Sequence, residues 1–142
     1  MRLALSGFAM LLLLVLFLPA SMAAEGLKIR PGKWVTESTM TNSMMPQPRV
    51  TTRTECVTED EWNAEDLMDS VEGCTWKDVV ATATTLDWKV ECTNPGGRMQ
   101  GDASYRSEGD RGSGQMNMAM QVNGMNMTMK VVWKGERVGD CD

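Results

Sequence analysis

The side chains in this 142-residue chain best equipped for chemistry carry sulfur. Six of its fourteen methionines fall in one short stretch: Met116, Met118 and Met120, then Met125, Met127 and Met129. Thioethers are soft ligands that select Cu(I). They are also flexible, polarizable apolar groups that adapt to varied hydrophobic partners. The other sulfur atoms belong to Cys56, Cys74, Cys92 and Cys141. Other common chemistry is missing. The chain has no His, which removes the commonest general base and zinc ligand. It has no G-x-S-x-G, no P-loop and no dinucleotide fingerprint. No pair of carboxylates sits in an apolar context that would split their pKa values. These features speak against an enzyme, and no cofactor is expected.

The first residues say where the cysteines work. Met1-Arg2 precedes an apolar run from Leu3 to Leu18, and Pro19 and the small-residue stretch Ala20-Ser21-Met22-Ala23-Ala24 follow it. This is the layout of a secretory signal peptide over 1–23, cleaved after Ala23. The run is short for a membrane anchor. A single domain over 24–142 remains, and no transmembrane segment is expected after cleavage. Without Arg2 the formal charge moves from −5 to −6. That balance argues against nucleic acid or an anionic membrane as partner. In an exported, periplasmic setting four cysteines imply two disulfides. Cys56–Cys74 and Cys92–Cys141 are the favoured pairs: the first closes a local excursion and the second ties down the chain end. Oxidised, none of the four is free to act as a metal ligand or nucleophile, and no metal site is expected from them.

The elements that must position these residues read mostly at period two. Leu86 to Cys92 alternates strictly between apolar and charged residues, as a half-buried strand does. Lys33–Met40 and Val50–Val57 read as a hairpin around a loop at Thr41–Pro48. Cys74–Ala81 is a strand, with a bulge or an edge expected at Asp78. Arg98–Arg106 is a further strand, with Met99, Ala103 and Tyr105 on one face. Gly96-Gly97 and Gly112-Ser113-Gly114 read as turns. Thr58-Glu59-Asp60-Glu61 forms a capping box that predicts a short amphipathic helix through Trp62, Leu67, Met68 and Asp69, closed by Gly73. Its acidic residues do not follow a calcium-loop spacing and read as a solvated face. The fold class is mainly β: an antiparallel meander of about seven strands, curved, sandwich-like or half-barrel, with one short helix and two disulfides.

Asn123-Gly124 between two alternating segments signals a type I′ hairpin. A turn there pairs Val122 with Met125, Met120 with Met127, Met118 with Met129 and Met116 with Val131, all on one face. Three readings compete for that face. It can be core, because methionine fills irregular gaps. It can be a surface for an apolar ligand or an envelope partner, lined by Met116, Met118, Met120, Met125, Met127, Met129 and Trp88, with Trp34, Trp76 and Trp133 nearby. It can be a Cu(I) or Ag(I) site made by Met118, Met120, Met127 and Met129. A purely structural envelope role is a further alternative.

Several motifs are shared with a known family. They are the opening Gly32-Lys33-Trp34, the Thr-rich strand ending in Cys56-Val57-Thr58, Cys74 and Cys92 in order, and the ending Gly139-Asp140-Cys141. Together they resemble domain of unknown function 3617, a group of small exported bacterial proteins. The resemblance implies a periplasmic, disulfide-bonded domain and no particular activity.

Overall fold

The structure, a computed structural model, describes residues 26–63 and 72–142. The expected signal peptide therefore lies outside the described residues. In chain order the strands are β1 (Leu27–Lys28), β2 (Gly32–Asn42), β3 (Met45–Val57), β4 (Glu61–Trp62), β5 (Cys74–Ala81), β6 (Thr85–Asn94), β7 (Gly97–Glu108), β8 (Arg111–Val122) and β9 (Met125–Gly139). Seven of them make one open antiparallel sheet in the order β3-β2-β9-β8-β7-β6-β5, and β1 pairs with β4 in a separate two-stranded ribbon. Among the described residues β3 and β5 are the edge strands of the main sheet. Among the described residues no helix is long and apolar enough to cross a membrane.

Tight turns hold the register. Asn123 and Gly124 both have positive φ, 50° and 79°, as a type I′ turn requires. The resulting pairs Val122–Met125, Met120–Met127, Met118–Met129 and Met116–Val131 are those the sequence predicts. Asp78, also at φ 50°, sits where the β5–β6 register shifts between Lys77 and Val80. The bulge lies on an edge strand, and Lys89 Nζ donates to the Asp78 carboxylate at 2.7 Å. A short polar side chain tolerates that backbone region better than a bulky one.

Four sequence expectations need correction. The turn between β7 and β8 is at Gly109–Asp110, while Gly112 and Gly114 lie inside β8. A Cβ on Gly114 would lie 2.5 Å from Trp133 Cε2, and one on Gly112 would collide with the Tyr105 hydroxyl. These glycines are room for aromatic side chains from the neighbouring strands, not turn residues. Second, the loop of the first hairpin is short, since Met45 to Pro48 already belongs to β3. β3 is an edge strand, where proline's missing N–H breaks no ladder bond. Third, Glu61–Trp62 is a strand paired with Leu27–Lys28, so no helix starts at Thr58. Pairing with the chain's own first strand overrides the local capping signal. The rest of the expected helix, residues 64–71, lies outside the described residues.

The fourth correction concerns the disulfides, which are Cys56–Cys141 and Cys74–Cys92. Cys56 lies on one edge strand and Cys74 on the other. A disulfide needs Cα atoms within about 7 Å of each other. Cys74 instead stands directly opposite Cys92 on β6, with Cα atoms 3.9 Å apart. Cys56, at the end of β3, meets the chain end beyond β9 with a Cα separation of 5.7 Å.

The core lies at one end of one sheet face. Leu27, Ile29, Trp34, Val57 and Leu86 form its buried cluster, with Trp62, Val79, Ala81, Trp88 and Tyr105 packed against it. The β1–β4 ribbon covers this end. Its backbone is tied down by Lys28 N–H donating to the Ala83 carbonyl at 3.0 Å and Ile29 N–H donating to the Asp60 carbonyl at 2.9 Å. Trp34 Nε1 donates to the Arg30 carbonyl at 2.9 Å, which satisfies the indole that anchors the cluster.

The two disulfides close loops of different size, with sequence separations of 18 and 85. The chain-entropy model gives about 3 kcal/mol for the shorter and about 4.5 kcal/mol for the longer. Urea unfolding of a Cys74→Ala, Cys92→Ala variant and of a Cys56→Ala, Cys141→Ala variant measures the difference. The second pair is expected to lose more stability.

Candidate functional site

Directly paired residues of an antiparallel sheet share a face, so the register can be followed from strand to strand. One row runs Trp88–Ala103–Met116–Val131–Met40 across β6, β7, β8, β9 and β2. The next runs Trp76–Val90–Gly101–Met118–Met129–Asn42. A third runs Cys74–Cys92–Met99–Met120–Met127. The six hairpin methionines therefore lie on the same face as Trp34, Trp76, Trp88 and Trp133, at the end of the sheet away from the core cluster. Met40 and Met99 join them. Sequence reasoning missed these two because their place depends on pairing between separate hairpins. The signal available was the two-residue spacing at Pro95–Gly96 and Gly109–Asp110, which sets the register of β7 against both neighbours.

No methionine belongs to the core cluster among the described residues. Met116, Met118, Met120, Met127 and Met129 are half-buried, and Met125 is 58% exposed. By contrast Leu86, on the same face at the other end, is 1% exposed. Gly101 lets the Met118 side chain lie close, since a Cβ there would sit 2.9 Å from Met118 Cγ. Met118 faces Met129, and Met120 faces Met127, as cross-strand pairs. Opposite side chains in such pairs start from Cβ atoms about 4.5–5.5 Å apart, within reach of a shared ligand.

Between the methionine end and the core lie two tryptophans. The rings of Trp76 and Trp88 are 6.2 Å apart and tilted by 47°. Both indole Nε1 atoms are buried and have no hydrogen-bond partner among the described residues. A buried donor left unmatched costs about 1–3 kcal/mol.

Nearer the core is a small cavity of about 260 Å³, lined by Thr36, Glu55, Trp62, Leu86, Trp88, Tyr105, Trp133 and Gly135. Trp62 and Tyr105 meet there with ring centroids 5.6 Å apart. The Tyr105 phenol is pushed above the usual tyrosine range, first by burial and second by the Glu55 carboxylate. Sequence reasoning assigned Trp62 to a helix and did not single out Glu55. The opposite, polar face carries a shallow depression of about 720 Å³ lined by Lys89, Glu91, Asp102, Asn117 and Lys130 among others.

All four cysteines are paired, and no thiol is free. Among the described residues no group of three or more carboxylates and cysteines is placed to hold a metal ion.

A family model described as "Protein of unknown function (DUF3617)" matches residues 29–141. No curated protein and no solved structure matches the chain.

Tyr105 gives a direct check on this geometry, because it is the single tyrosine of the chain. The fold favours its neutral form. The stability this brings is complete below the unfolded pKa of about 10 and is lost as pH rises through the higher folded value. An absorbance titration of the folded protein is expected to place tyrosinate formation above that of the urea-unfolded chain. Glu55→Gln should bring it part of the way back. Coincident folded and unfolded midpoints would contradict the arrangement.

Proposed function

The chain belongs to the DUF3617 family, and we propose that it works there as a non-catalytic binding module that holds an apolar ligand, or an apolar segment of an envelope partner, on its methionine face. The observation that carries this reading is the one-sided band of methionines spanning β7, β8, β9 and β2. It continues the core face yet stands half-buried outside the core cluster. Apolar groups in a continuous patch are the usual mark of a contact surface, and methionine suits one that must fit several shapes. The unpartnered indole N–H groups of Trp76 and Trp88 add a polar feature to it. They suit a ligand that is apolar along its length and carries a hydrogen-bond acceptor such as an ester or carboxyl oxygen.

The two disulfides fit an oxidising compartment. Together with the signal-like start, they support a periplasmic site of action. The absence of His and of free thiols, with all four cysteines paired, supports a role without catalysis.

A second reading is favoured by the thioether pairs themselves. Met118–Met129 and Met120–Met127 are directly opposite, and Met99 extends the latter row. Such a cluster offers a Cu(I) or Ag(I) ion several soft donors at once.

One pair of variants separates the two. In the first, Met118, Met120, Met127 and Met129 become Leu; in the second they become Thr, which keeps strand propensity while adding polarity. Binding of the apolar fluorophore N-phenyl-1-naphthylamine is expected to survive in the Leu variant and to weaken at least tenfold, about 1.4 kcal/mol, in the Thr variant. Equal fluorophore binding by the wild type and the Thr variant would overturn the apolar-surface reading. Tight Ag(I) binding by the wild type that the Leu variant loses would establish the metal reading instead.

A further inference from the structure

The geometry points to a second binding site, adjoining the methionine face at Trp88: the aromatic-walled cavity beside Glu55, which we propose receives a small organic cation of the quaternary ammonium class. Three indoles and a phenol, those of Trp62, Trp88, Trp133 and Tyr105, line a space of about 260 Å³. Aromatic faces carry negative quadrupole charge, and several rings lining one small volume are the side chains that sites for methylated ammonium groups use. Trp is the strongest ring of this kind, and three are present.

Three further features favour a cation over a neutral apolar guest. Glu55 supplies a carboxylate at the wall, a negative charge that attracts a cationic guest and gives a neutral one nothing. No Lys or Arg is among the described residues lining the cavity. The carboxylate pairs with Arg53, whose Nε lies 3.6 Å from Glu55 Oε2 and whose side chain is 81% exposed. So solvated a pair holds Glu55 only weakly. The carboxylate also acts on Tyr105 through space, which places the charge and the ring in one environment.

The site is held by structure already needed for the fold. Glu55 stands opposite Trp34 on β2, in the register that anchors the core. The Trp133 ring lies over Gly114, and that glycine leaves space for it. Trp62 arrives on β4, fixed by its pairing with Leu27. A cavity this small, near the low end of ligand pockets at about 300 Å³, fits a headgroup and not a long chain. A lipid headgroup such as phosphocholine and a free osmolyte such as choline share this chemistry.

The probes are choline and its neutral isostere 3,3-dimethylbutan-1-ol, titrated into the purified protein with tryptophan fluorescence as readout and isothermal calorimetry as a second measure. Choline is expected to bind saturably and at least tenfold more tightly than the alcohol, and Glu55→Gln to weaken choline severalfold without changing the alcohol. Glu55 is an exposed edge-strand residue, so the variant should keep the wild-type circular dichroism. Dodecylphosphocholine micelles binding no better than free choline would assign the site to the soluble cation; tighter micelle binding that Glu55→Gln weakens would assign it to the lipid headgroup. Equal affinity for choline and the alcohol, or no binding of either, would overturn the proposal. The methionine variants above should leave choline affinity unchanged, so this site can fail or stand independently of the apolar surface.

Discussion

Everything in this fold depends on one sheet having a single apolar face that seven strands share. Period-two alternation fixes which side of each strand is apolar, but only register makes those sides coincide. Two-residue turns at Pro95–Gly96, Gly109–Asp110 and Asn123–Gly124 lock three successive strand pairs, and a slip of one residue at any of them would turn a whole strand over. The return of β9 to pair with β2 then carries the same face across to the first hairpin. Large rings need space on a face this continuous, and glycines provide it: Gly114 under Trp133 and Gly112 under Tyr105.

A face of this length must be covered or left for something else, and the two ends differ. The β1–β4 ribbon with Trp62 seals one end, where Leu27 and Leu86 are almost wholly buried. The methionine end carries no comparable cluster among the described residues. The disulfides follow the same division. Cys56–Cys141 closes the covered end, where the chain finishes beside β2, and Cys74–Cys92 clamps the edge strand β5 at the methionine end. That clamp supports an edge strand whose pairing is interrupted at Asp78. The result is a sheet with an aromatic end covered by the ribbon and a sulfur-lined end.

Much of this was legible in the sequence because it is local. The Asn123-Gly124 turn, the pairing of the methionines and the bulge at Asp78 each follow from a few adjacent residues. What was not legible depends on sequence-distant partners. Cys56 and Cys74 look like neighbours along the chain but stand on opposite edges of the sheet. The capping box at Thr58 is a sound local signal, yet Glu61 and Trp62 gain more by pairing with Leu27 and Lys28. Gly112 and Gly114 have turn composition, and only the rings above them explain their place inside a strand. The site was legible in the same proportion. The methionine band was visible, but Met40, Met99 and the cavity at Trp62 and Glu55 arise where separate hairpins meet.

The central claim is that the methionine end of the shared face is an accessible surface and not sealed core. Brief exposure of the folded protein to dilute hydrogen peroxide, with sulfoxide measured at each methionine by peptide mass spectrometry, tests it most directly. Met118, Met120, Met127 and Met129 are expected to oxidise in the folded protein, more slowly than the exposed Met44 and Met45 but far faster than global unfolding would allow. Protection of these four down to the rate of global unfolding, while Met44 and Met45 oxidise freely, would contradict it.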